Sequence, residues 1–376
     1  MRCTIVNRVI HADSNTEWHH ATELADYLAR RGITVTRVAL REPGQPDAPA
    51  ERNLHLLPRH YSGKHKIRRL LASLLEGRRL IRHALKLDHG PIICMTDPPL
   101  LNFWMARETR RRQIPWIYWS LDLYPEAFAA AGLVRRSSPF YRYLQKTVEG
   151  NAPSHLLALG PQQAAHIRQQ YTPSPGASIL PCGIARTPDP AAAPEWARAE
   201  GKIILGYVGN LGEAHSDTFV EAALSCLDPK RHRFILAASG AKSARLRELA
   251  KDMPAVITLD SVPREHLRFI DIHLVTLLPH WDHICVPSKA VSAVCEGGSI
   301  LFHGSRENDN WKLLHDAGWR LPPEEKPTSA MKAFFEKLSP GSLREKQQAA
   351  RKLSSDLLAI RDRAFDDIYR KVKELQ

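Results

Sequence analysis

The sequence predicts an α/β protein built from two successive Rossmann-like units. The chain has 376 residues, of which 43% are hydrophobic, and this length suits two cores better than one. Short β-branched runs alternate with amphipathic segments, a pattern typical of parallel sheets flanked by helices. A segment rich in Pro and Ala, Pro188–Ala199, interrupts the alternation, which then restarts.

Runs of β-branched and aromatic residues predict the strands. Six strands precede the Pro- and Ala-rich segment: Thr4–Ile10, Ile33–Leu40, Ile92–Thr96, Trp116–Leu121, His155–Leu159 and Ser178–Leu180. Five strands follow it: Ile203–Val208, Phe234–Ala238, Val256–Leu259, Ile272–Leu277 and Ser299–His303. Amphipathic stretches at Glu17–Arg31, Ile67–Leu87 and Leu100–Arg112 predict helices between the first strands.

These elements divide the chain into domains. We expect a first domain over 1–185, a linker over 186–200 and a second domain over 201–350. The tail carries apolar residues at helical spacing, so 351–376 is expected to form a helix that crosses back to the first domain.

Composition argues against secreted, membrane-spanning and metal-binding proteins. No window approaches the roughly 20 apolar residues of a spanning helix, and Met1–Ser14 lacks the apolar run of a signal peptide. The six cysteines are scattered without a C-x-x-C pair, so neither a zinc site nor a disulfide framework is expected. The sequence therefore predicts a protein that holds no metal and is either free in the cytoplasm or peripheral at the inner face of the membrane.

Positive charge is concentrated in the first domain. The net charge of the chain is +13, and the first 183 residues carry 25 basic and 14 acidic side chains. A basic surface attracts the phosphates of lipids, nucleic acids or nucleotide-sugars. The stretch Lys64–Lys86 mixes basic residues with leucines. As a helix it would either lie on an anionic membrane surface or pack on the core with a basic outer face.

Polar side chains follow several predicted strands, and parallel sheets bind ligands beyond the carboxyl ends of their strands. Asn15, Glu17 and His19 follow the first strand and either contact an acceptor or belong to an ordinary capped helix. Asp97 follows a later apolar strand and would face the same crevice.

Asp122 and Glu126 are the candidate catalytic acids. They follow the apolar strand Trp116–Leu121. A carboxylate at the end of a buried strand is costly unless it is paired, caps a helix or faces a wet cleft. Asp122 therefore either serves as a functional acid, with Glu126 as the second candidate, or caps a helix.

Glycines follow the first strand of the second domain. Gly209 and Gly212 flank Asn210, and glycines at this place let a diphosphate approach the backbone. Ser288 and Lys289 stand at a predicted helix start, where amides and an ammonium group favour phosphate oxygens. A lysine there is otherwise an ordinary solvated side chain.

Several segments, in chain order, resemble motifs of the large retaining glycosyltransferase family (family 4-like) that builds lipopolysaccharide, capsule and lipid-linked glycans. They are Asp122–Glu126, Leu159–Gly160, Ile179–Gly183, Gly206–Gly212, Val286–Lys289 and Glu296–Ile300. The resemblance implies the GT-B fold, in which two Rossmann-like domains face each other across a cleft. It also implies sugar transfer from a nucleotide-sugar to a glycan or lipid-linked acceptor, with retention and without a metal or other cofactor.

The sequence departs from this family near the donor. Ser292 and Ile284 stand where two glutamates are common, and Asn210, His215 and Ser216 occupy the region of a basic pair. The donor is then expected to be held by other groups. The candidate donor-binding residues are Gly209, Asn210, Gly212, Asp282, His283, Ser288 and Lys289.

Three alternatives stay open. A catalytically degenerate subunit that assists another transferase is supported by the missing glutamates. A nucleic-acid-binding protein is supported by the positive net charge and by the run Arg110–Arg112. Against it, the sequence has no zinc-finger or RNA-binding aromatic motif. A sugar-nucleotide epimerase would require catalytic carboxylates between the domains.

Overall fold

The computed structural model divides the chain into two units, each with its own parallel sheet. It covers residues 1–9, 16–41, 53–59, 66–87, 90–185, 187, 192–198 and 201–376, with the side chains of 16–18, 66–67 and 69–70 outside the description. Unit 1 comprises Met1–Cys182 together with Arg361–Gln376, and unit 2 comprises Gly183–Ile360. Each unit contains one parallel sheet with helices, which confirms the predicted fold class.

Unit 1 is built on a seven-stranded parallel sheet. Its strands are β1 (Arg2–Val6), β2 (Thr34–Arg41), β3 (Leu54–Pro58), β4 (Ile92–Cys94), β5 (Trp116–Ser120), β6 (His155–Ala158) and β7 (Gly176–Ile179). Its helices are α1 (Thr16–Arg30), α2 (Lys66–Ala84), α3 (Leu101–Thr109), α4 (Glu126–Ala130), α5 (Pro139–Glu149) and α6 (Pro161–Arg168). The strand order is β3-β2-β1-β4-β5-β6-β7.

Local sequence explains these elements. All five residues of β5 are buried, including Trp116 and Trp119, as a central parallel strand covered on both faces requires. Helix α5 begins after Ser138, whose Oγ accepts a hydrogen bond from the Tyr141 amide at 3.1 Å, and Pro139 suits the first helical turn. The strand order reverses between β1 and β4, so a crevice is expected at their carboxyl ends.

Unit 2 is built on a six-stranded parallel sheet. Its strands are β8 (Ile203–Asn210), β9 (His232–Ser239), β10 (Val256–Thr258), β11 (Ile272–Thr276), β12 (Ser299–His303) and β13 (Gly318–Leu321). Its helices are α7 (Asp217–Ser225), α8 (Ser243–Ala250), α9 (Ser288–Cys295), α10 (Asp309–Leu314), α11 (Pro327–Lys337) and α12 (Pro340–Glu374). The order is β10-β9-β8-β11-β12-β13, so the reversal lies between β8 and β11.

The last helix, α12, is shared by the two units. Its residues up to Ile360 belong to unit 2, and those from Arg361 onward belong to unit 1. Within unit 1, Arg361 lies 3.3 Å from Glu23. Gln376 exchanges two hydrogen bonds of 2.9 Å with the backbone of Arg2, so the last turn is fixed beside β1.

The structure corrects the strand prediction at three places. Strand β1 ends at Val6 and not at Ile10, because the Arg8 amide leaves the ladder and donates to the Asp97 carbonyl at 2.6 Å. Strands β3 and β13 are absent from the prediction. Both are edge strands and partly exposed, and β3 ends in Pro58, so their hydrophobic pattern is weak.

A buried ion-pair cluster fixes the beginning of unit 2. The Glu296 side chain is 1% exposed and lies 3.4 Å from Arg264 Nε and 2.9 Å from Arg268 Nη2. The Thr187 hydroxyl donates to the same carboxylate. Arg264 also donates to the Gly183 carbonyl at 2.7 Å. The segment that enters unit 2 is thereby fixed to the end of α9.

We expect Glu296→Gln to lower the free energy of unfolding by about 3 kcal/mol, because removing a buried partner leaves both arginines uncompensated. The matched control is Glu221→Gln, which removes the more exposed carboxylate that lies 2.6 Å from Arg245. Such a surface pair contributes less than about 1 kcal/mol. Urea unfolding measures both variants, and equally small losses would contradict a stabilising cluster.

Candidate functional site

An ion pair lies where the strand order of unit 1 reverses. The Arg8 guanidinium, just after β1, binds the Asp97 carboxylate, just after β4, through Nε to Oδ2 and Nη2 to Oδ1, both at 2.8 Å. Their side chains are 22% and 21% exposed. The predicted acceptor-side residue Asp97 is thus a fixed carboxylate at the sheet edge. Sequence reasoning missed Arg8, because the predicted first strand, Thr4–Ile10, included it.

Asp122 lies directly beyond β5, and water reaches its side chain. Protein atoms nevertheless fill much of its surroundings, and this loss of water raises the pKa of the carboxyl to about 6. Repulsion from the Asp97 carboxylate is the second cause. A carboxyl that titrates close to neutral pH and meets solvent can exchange a proton, as a catalytic acid or base must.

The backbone beside Asp122 is held by Gln163, a fully buried side chain of α6. Its Nε2 donates to the Leu121 carbonyl at 3.0 Å, and its Oε1 accepts from the Leu159 amide at 2.9 Å. The Ser120 hydroxyl donates to the same oxygen at 3.1 Å. Gln163 therefore joins the ends of β5 and β6. Sequence reasoning missed it, because a glutamine in a helix gives no signal until its burial is known.

Glu126, the second predicted catalytic acid, begins α4 and is 6% exposed. Its Oε1 accepts a hydrogen bond from Gln170 Nε2 at 2.9 Å and lies 3.9 Å from His166 Nε2. These partners lie on α6 and just after it. Burial and partners of this kind favour a part in holding α4 in place over direct contact with a substrate.

The predicted acceptor-side residues after β1 are only partly described. Asn15 lies outside the described residues, and Glu17 lies in α1 with its side chain outside the description. His19 is exposed on α1, where its Nε2 lies 3.9 Å from Glu23 one turn later. The contact of these three residues with an acceptor stays a prediction.

In unit 2, Lys289 joins the start of α9 to the carboxyl end of β8. Its ammonium group donates to the Tyr207 hydroxyl at 2.6 Å and to the Asn210 carbonyl at 3.0 Å. The same nitrogen lies 4.1 Å from the centre of the Tyr207 ring. Loss of water through burial lowers the pKa of Lys289 to about 7. An anionic ligand beside Lys289 would stabilise the positive charge of its ammonium group.

Bare backbone lies next to this ammonium group. Gly209 has a φ of +115°, and a Cβ there would lie 4.0 Å from Lys289 Cε. The side chain of Asn210 packs on two more glycines, since a Cβ on Gly212 would lie 3.1 Å from its Nδ2 and one on Gly240 2.1 Å from its Oδ1. Four predicted donor-binding residues therefore come together at the end of β8.

A second lysine reaches the same loop. Lys242, before α8, donates to the His215 carbonyl at 2.7 Å. His215 Nδ1 donates to the Thr276 carbonyl at 2.6 Å, and burial together with the Lys289 ammonium lowers the pKa of His215 to about 3. The imidazole is therefore neutral at physiological pH. Sequence reasoning missed Lys242, because its distance along the chain hides its proximity to the glycine loop.

Asp282 and His283 occupy the loop between β11 and α9. Asp282 accepts a hydrogen bond from Asn308 Nδ2 at 3.0 Å, and His283 has a left-handed φ of +67°. Asn310 Nδ2 donates to the Pro287 carbonyl at 2.7 Å. The two asparagines around the start of α10 thus shape the loop that leads into α9, and sequence reasoning missed both.

Two serines of α9 contact the first residue of unit 2. A Cβ on Gly183, whose φ is +104°, would lie 2.5 Å from the Ser288 carbonyl and 2.8 Å from Ser292 Oγ. Ser292 also donates to the Gly183 carbonyl at 3.3 Å, and Ile284 is 3% exposed. The two positions where the resemblance leads one to expect glutamates are therefore occupied by packed side chains.

Two kinds of feature are absent from the residues that the structure describes. In this part of the chain, no group of three or more His, Cys, Asp and Glu side chains is arranged to hold a metal ion. No helix within the same ranges is long and apolar enough to cross a membrane.

Part of the chain matches the model of a known protein family. The family model described as glycosyl transferase 4-like domain matches residues 17–183. A Pseudomonas aeruginosa protein named probable glycosyltransferase WbjE is 20% identical over 255 residues. That alignment covers 63% of this chain and 61% of the relative, so the chain spans less than two thirds of the relative's length.

Solved structures resemble the chain over its whole length. Sucrose-phosphate synthase from Thermosynechococcus elongatus has a TM-score of 0.76 at 15% identity, with 100% of both chains covered. An E. coli protein described as trehalose-6-phosphate bound with UDP-2-fluoro glucose has a TM-score of 0.69 at 13% identity, also with 100% of both chains covered. At these identities the similarity establishes the fold alone.

We expect Asp122→Asn to raise the melting temperature above pH 6 and to leave it nearly unchanged at pH 4. The folded pKa of about 6 lies above the ordinary value of an aspartate, so ionisation of Asp122 destabilises the fold as pH rises through 6. Asparagine does not ionise, so the variant does not lose stability as the pH rises. Asp252→Asn, at an exposed position, is the matched control. A pH-independent effect in calorimetry would contradict the raised pKa.

Proposed function

We propose that this chain, which matches the glycosyl transferase 4-like domain over residues 17–183 and has the GT-B fold, transfers a sugar from a nucleotide-sugar to a glycan or lipid-linked acceptor. The observation that carries this proposal is the Lys289 ammonium group beside the bare backbone of Gly209. The E. coli neighbour bound with UDP-2-fluoro glucose supports a nucleotide-sugar as a ligand of this fold.

In this proposal, unit 2 binds the donor. Diphosphate oxygens accept hydrogen bonds from Lys289 and from amides at the start of α9, while Gly209 and Gly212 let them approach the backbone. Lys242 adds a second positive charge beside the loop. Charge accumulates on the nucleoside diphosphate as it leaves the sugar, and a preorganised ammonium group stabilises this charge in the transition state. The scheme requires no metal.

Unit 1 supplies the acid–base group of the proposed reaction. The acceptor oxygen forms a bond to the anomeric carbon, the bond from that carbon to the phosphate oxygen breaks, and its electron pair stays on the phosphate. Asp122 accepts the proton of the acceptor hydroxyl, since a carboxyl of pKa about 6 is mostly ionised at neutral pH. Glu126 stays the second candidate acid. The family resemblance implies retention, so in this step the acceptor oxygen attacks from the face of the sugar from which the phosphate leaves.

A second candidate function is a catalytically degenerate subunit that assists another transferase. It is favoured by Ser292 and Ile284, which stand where the resemblance leads one to expect two glutamates. Both side chains are packed, and neither carries a carboxylate. Donor binding without turnover would support this candidate. Turnover that depends on Asp122 would exclude it.

We expect one nucleotide-sugar to raise the melting temperature of the protein, because a ligand at 100 times its Kd stabilises the folded state by about 2.7 kcal/mol. Lys289→Gln should weaken this binding about tenfold or more, since it removes a charged hydrogen-bond donor. Lys251→Gln, at an exposed position of unit 2, is the matched control. A full panel of nucleotide-sugars without any shift would overturn the proposed donor class.

We expect kcat/KM to rise with pH through about 6, because Asp122 must be ionised before it can accept a proton. Asp122→Asn should lower kcat on the order of 10²–10⁴-fold and abolish this dependence. The control variant Asp252→Asn should keep the wild-type kcat and the wild-type pH dependence. A wild-type profile that is flat around pH 6 would remove Asp122 from the base role.

A further inference from the structure

Almost all of the excess positive charge of the chain lies in three segments of unit 1. The segments are 66–87, 101–112 and 133–149. Together they contain fifteen Lys and Arg residues and three Glu residues, a net charge of +12 out of +13 for the whole chain. Glu76 is buried, and Glu108 lies 3.7 Å from Arg78 and 3.2 Å from Arg82. Two of the three carboxylates are thus withdrawn from solvent or paired.

Helices of these segments pack side by side, with α3 between α2 and α5. Arg78 of α2 lies 5.3 Å from the ring centre of Trp104 on α3. Phe103 of α3 packs edge-on against Tyr143 of α5 with ring centres 5.9 Å apart, and Arg107 donates to the Tyr143 hydroxyl. We call the exposed side of these helices, with the segment 133–138 that leads into α5, the α2–α3–α5 face.

Large apolar side chains are exposed on this same face. Among the described residues, seven large hydrophobic side chains are exposed, and the two outside this face are Met1 and Leu249. The five on the face are 49–63% exposed: Leu71, Leu75, Leu133, Phe140 and Tyr143. Exposed basic residues lie along the same helices and their flanks: Arg68, Arg82, Arg135, Arg136, Arg142 and Lys146. Scattered exposed apolar residues are ordinary on protein surfaces, but such a concentration marks an interaction site.

We propose that the α2–α3–α5 face binds the surface of an anionic lipid bilayer. The charge complements lipid phosphates, and each basic residue near an anionic leaflet strengthens binding. The exposed leucines, Phe140 and Tyr143 reach the boundary between headgroups and acyl chains, where apolar and aromatic side chains are favoured. A nucleic acid would satisfy the charge but would leave the aliphatic side chains in water, so the bilayer fits both features.

The inference rests on the proposed function in one respect, since a lipid-linked acceptor would be met at this surface. Lipid binding itself requires neither donor nor turnover, so it is measured separately. The probe is a vesicle of phosphatidylcholine with about one-third phosphatidylglycerol, compared with pure phosphatidylcholine, in sedimentation with the full chain. Wild type should sediment with the anionic vesicles at low salt, and far less at high salt or with neutral vesicles.

Two sets of substitutions separate the apolar and charged contributions. Phe140→Ser should weaken vesicle binding about fivefold or more through lost apolar burial. The triple variant R135Q/R136Q/R142Q should weaken it about tenfold or more and flatten the salt dependence. The matched controls are Leu249→Ser, an exposed leucine of unit 2, and K332Q/K337Q, two exposed lysines of α11. Unchanged melting temperatures establish that each variant is folded.

Several results would overturn the proposal. It fails if wild type does not sediment with anionic vesicles at low salt, or if the controls lose as much binding as the variants. It also fails if single-stranded RNA binds more tightly than the vesicles and Phe140→Ser leaves both unchanged, which would identify a nucleic-acid surface. The nucleotide-sugar melting assay on the same variants should match wild type, so a failure of lipid binding is distinguishable from a failure of donor binding.

Discussion

Parallel strand direction is the constraint on which both candidate sites depend. In each sheet, every strand presents its carboxyl end at one edge, so the loops after neighbouring strands meet there. Arg8, Asp97 and Asp122 share that edge in unit 1, and Gly209 and Lys289 share it in unit 2. At the reversal points, consecutive crossovers leave toward different sides of the sheet, which frees the edge for a ligand.

Loss of water gives each unit a group that titrates near neutrality. It raises the pKa of the Asp122 carboxyl and lowers the pKa of the Lys289 ammonium group, so both pKa values lie close to neutral pH. Neither change favours the folded state, because in both groups the charged form has lost solvation. Elsewhere, the buried carboxylate of Glu296 lies between two arginines and stabilises the unit that carries Lys289. Reactive and stabilising charges are therefore placed apart.

Much of the fold is readable from the sequence, but only part of the site. Central strands such as β5 are buried over their whole length, and glycines at the end of β8 mark a turn whose backbone geometry is local. Local pattern therefore placed Asp122, Gly209 and Lys289 at the ends of strands or helices, and their part in a reaction stays a prediction. It could not locate Gln163 or Lys242, whose roles arise from contacts with residues distant in the chain. The edge strands β3 and β13 were not predicted, because partly exposed strands show a weaker hydrophobic pattern in the sequence.

The division of α12 between the units has a consequence for synthesis on the ribosome. Unit 1 is discontinuous: Met1–Cys182 emerges before unit 2, but Arg361–Gln376, which packs against α1 and β1, emerges after it. Unit 2 is contained within a single uninterrupted stretch and can complete its sheet while unit 1 still lacks its closing helix. Unit 1 therefore begins its synthesis ahead of unit 2 but can complete its fold only after unit 2 has been translated.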